Sequence, residues 1–407
     1  MRGKVLFNIV LAFFMLMAVI SVAQGVHNAV GILHGSYDFQ YDSALLLRLR
    51  LNPYDESLNP QGISEQLGLF DFYDKVEANQ FPSMLAILIP LTFLEPTTAN
   101  ITWMIINLIL TVVIISLSCK LFFNKMDTKV LIILACAMLA GTGWRNSIGN
   151  GQHTIFSVAF FLIAFWLSER KSCILSGVAL AVSYLKYTLT VPLTLYFIYK
   201  KRYKEVLVSV IIHLLGTILC ALWLNESLIN MVKKPLEIAA SLSSEGYIDF
   251  SSIFHLSSGV GMLVAISFCL ALFGLAVFGE ETKYGGNLLF AILSYVALII
   301  IYHRIYDFFI FMIPMGIFVY EWLESRTNAV NSQRENGINM IISVLIFIYA
   351  NFVQKAIDIL ANRIGMFSII DRYLQVIYAI IIYVFVLYLL IQYCRKYINV
   401  HTKKVKL

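Results

Sequence analysis

Between His34 and Tyr54 the chain reads His-Gly-Ser-Tyr-Asp-Phe-Gln-Tyr-Asp-Ser-Ala and then Arg-Leu-Arg-Leu-Asn-Pro-Tyr, directly after a long apolar run. This brings Asp38 and Asp42 to the edge of an apolar segment, where acidic side chains are costly and usually kept for a purpose. A carboxylate there can take a proton from a hydroxyl that comes within hydrogen-bond reach. Asp38 is the first candidate for such a base. Asp42, four residues on, is the reserve for the same role. The competing reading of Asp38 is a solvated loop acid capping the helix that follows.

Three later stretches carry complementary groups. Lys186, in Ser183-Tyr184-Leu185-Lys186-Tyr187, offers a point charge suited to a phosphate, although a lysine beside an apolar run also snorkels to an interface. His303 and Arg304 supply donors for a phosphate, the arginine as a fork; their bland role is interfacial anchoring beside Tyr302 and Tyr306. Asn150, Gln152 and His153 either cap the helix they precede or hydrogen-bond sugar hydroxyls. Tyr41, Tyr306 and Asp307 complete the expected sugar- and acceptor-facing set. Asp71-Phe72-Tyr73-Asp74 has two acids without a spacing that argues for a metal, and no metal site is expected. The chain contains no HExxH, Walker loop, GxSxG or CxxC, so the soluble-enzyme motifs are absent.

The elements that must position these groups are membrane helices. Of 407 residues, 59% are apolar and 13% charged, and mean hydropathy is +0.80, whereas soluble domains carry about a quarter charged residues. The net charge of +6 comes from Lys and Arg gathered in short clusters between apolar runs, the pattern of cytoplasmic membrane loops and not of a nucleic-acid binder. The six cysteines form no disulfide framework.

Met1-Arg2-Gly3-Lys4 followed by Val5 to Ala23 resembles a signal peptide, yet the run reaches the ~20 residues of a span and is read as an uncleaved first helix. A long polar loop follows to about residue 80, then a short apolar run from Phe81 to Leu94, expected as a re-entrant or interfacial helix. Later spans are expected at 99–123, 130–140, 153–167, 206–224, 259–278, 288–302, 306–323, 338–353 and 373–393. The 173–199 run is expected to break after Lys186 into two short spans, so that Lys200, Lys201, Arg202 and Lys204 return to the side of Glu169-Arg170-Lys171. The sum is an all-α polytopic membrane protein of about 12 transmembrane helices with a long first extracytoplasmic loop. Residues 1–407 form one integral membrane domain, with outer loops at 24–98 and 225–258 and both termini in the cytoplasm. In this topology Asp38, Asp42, residues 145–153, Lys186 and residues 303–307 all fall at outer helix ends.

The ordered set Asp38-Phe-Gln-Tyr41-Asp-Ser-Ala44 with Asn52-Pro53-Tyr54, Phe81-Pro82 with Ile89-Pro90-Leu91, Asn150-Gly151-Gln152, Gly177 to Lys186, and His303-Arg-Ile-Tyr306-Asp307 resembles the GT-C type of polyprenol-phosphate-dependent glycosyltransferases, most closely glycosyltransferase family 87. Two features depart from the family pattern: Ser83 stands where a second proline is usual, and Pro192 follows Lys186 late. The resemblance implies a GT-C-like fold. It also implies a bacterial-type inner or plasma membrane enzyme of cell-envelope or glycolipid biosynthesis that inverts the anomeric centre without a metal and needs no cofactor. Its donor would be a polyprenyl-phosphate sugar, a hexose with mannose as the candidate, and its acceptor a lipid-linked or envelope glycan. By motif position Asp38 is the base, and Lys186, His303 and Arg304 meet the donor phosphate. The alternatives are a multi-span lipid or oligosaccharide transporter, for which repeat symmetry between halves is lacking, and an O-antigen polymerase or ligase, for which the 225–258 loop lacks arginine.

Overall fold

A computed structural model describes residues 2–31, 38–55, 78–241, 246–327, 333–363 and 367–398. The Asp71 to Asp74 segment and His34 lie outside them. The regular elements among the described residues are all helices, with no strand among them. Nine helices are long and apolar enough to cross a membrane, or ten when the bent pair α4 (Thr128–Ala140) and α5 (Thr142–Gly149) counts as one span. The others that matter below are α1 (Arg2–Gly31), α2 (Tyr41–Arg48) and α3 (Pro96–Leu121). They continue with α6 (Thr154–Glu169), α7 (Cys173–Ser183), α8 (Tyr187–Tyr199) and α9 (Tyr203–Leu224). After these come α10 (Leu228–Ser241), α11 (Ser258–Phe278) and α12 (Lys283–Ile300).

Residues 173–199 are helical with one irregular turn at Tyr184–Lys186, and by length alone they make a single span. The packing shows a hairpin instead. A straight helix of that length would be about 40 Å long, yet Glu169, just before it, pairs with Arg202, just after it, at 3.8 Å. Ser168 also donates to Glu205 at 2.9 Å, and Phe165 packs edge-on against Tyr196. The reversal falls at Lys186, whose backbone leaves the helical region at φ −117°, ψ 70°. Ten spans remain the upper count by length and composition among the described residues; the two arms of this hairpin and α6 are shorter apolar helices of 11, 13 and 16 residues.

Hydrogen bonds sort the chain ends of these passages into two groups. At one end Asn100 donates to the Ala29 carbonyl, Tyr41 to Leu94, Asn52 to Glu226, and the Tyr247 amide to His303. At the other, Tyr199 donates to the Glu280 carbonyl, Lys200 pairs with Glu281, and the Glu280 amide reaches Tyr397.

Helix length then shapes the first end. From a common base, α9 rises about 33 Å while α7 rises about 16 Å and α6 about 24 Å, at 1.5 Å per residue. The tips at Thr154 and Lys186 therefore stop short of their neighbours and leave a recess. The 82–93 segment dips into it: Ser83 bonds His213, midway along α9, at 2.9 Å, and Phe81 contacts Tyr187. This depth fits a re-entrant segment better than one lying on the surface. The bundle interior below is aromatic, with Phe122, Phe161, Phe165, Phe197 and Phe290 stacked or edge-on.

Candidate active site

The recess holds a carboxylate shared by a lysine and a histidine. Asp307, 1% exposed, accepts from the Lys186 ammonium at 2.6 Å through Oδ1 and faces the His303 Nδ1 at 2.7 Å through Oδ2. Thr154 also donates to Oδ1, and Lys186 Nζ reaches Thr154 Oγ1 at 2.8 Å and Gln152 Oε1 at 3.2 Å. The Lys186 amide, freed by the turn, donates to Ser157 at 2.9 Å. Burial of an ion pair this complete requires that nearly every lone pair be met, and here four elements meet them. Nε2 of His303 is buried and has no hydrogen-bond partner among the described residues.

Each group has a local reason to be there. Lys186 sits where the hairpin reverses, so its side chain issues from the tip and not from a lipid-facing flank. Its Nζ lies 4.9 Å from the Tyr306 ring centroid, close enough for a cation–π contact. His303 and Arg304 follow the end of α12 on extended backbone, and Asp307 opens the next helical turn four residues after His303, the spacing at which side chains meet. Arg304 is exposed at the rim.

Asp38 joins this cluster from the opposite wall. Burial lifts its pKa above the ordinary 3.8, while the charge of Lys186, a hydrogen bond from Gln152 and the charge of Arg304 pull it down, and Asp307 adds a smaller upward push. Those neighbours define its surroundings: two cations, an amide and the shared carboxylate. Asp42 differs. Burial alone pushes its pKa up to about 7, and no charge of the cluster contributes to that shift.

The structure therefore brings together Asp38, Gln152, Lys186, His303, Arg304, Tyr306 and Asp307, and leaves Asp42 outside. Four expected ligands are occupied otherwise. Asp307 spends both oxygens on Lys186, His303 and Thr154, so it has little left for a sugar. Tyr41 donates to the Leu94 carbonyl at 2.8 Å. His153, 2% exposed, has both ring nitrogens engaged, with Phe39 and Gln80, and caps no helix through its side chain. Asn150 closes the C-terminal end of α5. Thr154, Ser157, Gln80 and Trp103 were missed by the sequence reading. Small hydroxyls and an aromatic within apolar runs carry no signal of their own; only contact with charged groups singles them out.

Among the described residues no cluster of three or more His, Cys, Asp or Glu side chains has the arrangement of a metal site. What the recess can do is hold an anion against Lys186, His303 and Arg304 while a carboxylate stands across from it.

A family model described as glycosyltransferase family 87 matches residues 82–308, more than half of the chain. The match takes in Gln152, Lys186, His303 and Asp307 and begins after Asp38. Among curated proteins and solved structures, nothing matches.

Proposed function

The chain belongs to glycosyltransferase family 87, and on that premise we propose that it moves a single hexose from a polyprenyl-phosphate donor to a lipid-linked or envelope glycan acceptor. The observation that carries this reading is the meeting of Asp38 with the Lys186–Asp307–His303 cluster in one recess, from positions far apart in the chain. That the protein is an integral membrane glycosyltransferase follows from the family and the apolar helices. The donor, the acceptor and the chemistry below are the proposal.

In the proposed step Asp38 takes the proton of an acceptor hydroxyl as that oxygen bonds to the anomeric carbon. The bond from that carbon to the donor phosphate breaks on the opposite face, and polyprenyl phosphate departs with the electron pair. The anomeric centre inverts. Charge developing on the phosphate is met by Lys186, by Arg304 at the rim and by the unspent Nε2 of His303. In this step His303 acts as the imidazolium, donating from Nδ1 to Asp307 and from Nε2 to the phosphate. Fixed charges in a site shielded from water are the larger contribution, and in this scheme they do the charge-neutralising work without a metal. Gln152 and Tyr306 line the space between base and phosphate and are the proposed sugar contacts.

The lysine- and arginine-bearing loops of residues 120–129, 169–172 and 200–204 gather at the opposite end of the bundle, which favours a cytoplasmic position for that end and an extracytoplasmic one for the recess. The decisive assay supplies purified protein with labelled polyprenyl-phosphate sugar and membrane acceptors. Transfer that is lost in Asp38→Asn while donor binding persists supports the reading; normal transfer by that variant, or a requirement for a nucleotide sugar, overturns it.

A further inference from the structure

The loop that carries Asp38 is held from beneath by a histidine whose own ring is closed off from substrate. His153 Nε2 lies 3.0 Å from the Phe39 carbonyl, and Nδ1 lies 3.5 Å from the Gln80 amide nitrogen. A carbonyl only accepts, so Nε2 carries the proton and Nδ1 accepts from Gln80; a neutral imidazole satisfies both at once. Trp103 braces the same point. Its indole stacks on Phe39 at 5.1 Å, meets the His153 ring edge-on at 5.6 Å, and donates to the Gly151 carbonyl at 2.8 Å.

One imidazole thus ties three distant segments together: the Asp38–Gln40 loop, the residues before Pro82, and the turn that also bears Gln152. Phe39 directly follows Asp38, so the carbonyl that His153 grips belongs to the next residue of the backbone that sets the aspartate. The loop leaves this grip through Gln40, a non-glycine residue at φ 60°, a strained conformation that persists only where the surroundings impose it.

We propose that His153 is a positioning residue: by gripping the Phe39 carbonyl it holds Asp38 at the place and angle from which it meets the acceptor hydroxyl. This rests on the reading of Asp38 as the base. Asp38 faces Lys186 and Arg304, with Asp307 and the Tyr306 phenol as further titratable neighbours and the Gln152 amide beside them. Burial is the main force raising its pKa. Releasing the loop admits water to the carboxylate, so loss of the grip lowers that pKa as well as misplacing the group.

The test uses the full chain in lipid nanodiscs, with polyprenyl-phosphate mannose labelled in the sugar as donor probe and membranes as acceptor source. His153→Leu is expected to lose about 100-fold in kcat, the scale of an ångström of misplacement, with donor KM unchanged and the acid limb of the pH–rate profile moved to lower pH. His153→Gln keeps an amide donor for Phe39 and is expected to recover most of that loss and the original limb. Wild-type kcat in His153→Leu overturns the proposal. So does a fall in kcat accompanied by weaker donor binding and an unmoved acid limb, the mark of general loosening. If His153→Leu does not accumulate folded, Gln80→Leu, which unties only Nδ1, must show a smaller limb shift of the same sign, and an unmoved limb and rate in it overturn the proposal. Normal transfer by Asp38→Asn would instead remove the reading beneath it.

Discussion

The recess and the opposite end of the helical bundle both carry ion pairs, and they use them differently. At the end opposite the recess, Arg202–Glu169, Lys200–Glu281 and Lys396–Glu335 join partners that are 18% to 46% exposed. Exposed pairs of this kind contribute about 0–1 kcal/mol each and are screened by salt. In the recess a single carboxylate, 1% exposed, serves Lys186 and His303 together. Such an arrangement is costly to desolvate and seldom adds stability over an apolar core. The first set anchors loops; the second keeps charge where water is scarce, which is the condition for strong electrostatic action on a substrate.

The comparison breaks most sharply at Asp38. Asp38→Asn is expected to lower transfer by about 10²–10⁴-fold, the usual share of a general base, with unfolding temperature unchanged and donor retained in a direct binding measurement. Next is Lys186→Ala, which leaves the buried Asp307 with only His303 and Thr154 and should cost about 3 kcal/mol of stability as well as donor affinity. The double variant Lys186→Ala with Asp307→Ala should regain most of the stability, read by thermal unfolding, and none of the donor affinity. A double variant no more stable than the single one would show that the pair is not a unit.

Two smaller effects concern pH and the far end. The proposed base works only when ionised, and burial holds the Asp38 pKa above 3.8, so activity should fall off at a higher pH than an ordinary aspartate would give. Asp42 separates from it by stability. Its folded pKa, near 7, is raised above 3.8, so its contribution to stability is fully present below 3.8 and is lost as pH rises toward 7. Asp42→Asn should flatten the decline of the unfolding temperature across that window while transfer continues; loss of transfer would return Asp42 to candidacy as the base. Arg202→Ala should change stability by about 1 kcal/mol or less and leave transfer intact. A large loss there would erase the distinction between the two ends.

Much of this arrangement was legible before any coordinates. Apolar run length gave the helices, and the basic clusters required the 173–199 run to double back at Lys186, a reversal that helix length alone would miss. The types and order of Asp38, Lys186 and His303 pointed to one recess. Other residues were legible in kind but not in role. His153 and Asp307 read as sugar ligands because both are polar residues at helix ends, but a sequence does not show which polar groups satisfy one another.

Composition, the spacing of apolar runs and the placement of lysines and arginines determined by themselves that this is a polytopic helical protein with Asp38, Lys186 and His303 at one end. These are properties of transfer from water to lipid and act segment by segment. Only the tertiary structure decided that Asp307 is shared between Lys186 and His303, that Asp38 and not Asp42 faces them, and that His153 grips the loop between. Hydrogen bonds and ion pairs form over about 3 Å, and Lys186 and Asp307, like His153 and Phe39, stand more than a hundred residues apart in the chain. Contacts that short between residues that distant are fixed by how the helices pack, which no local pattern records.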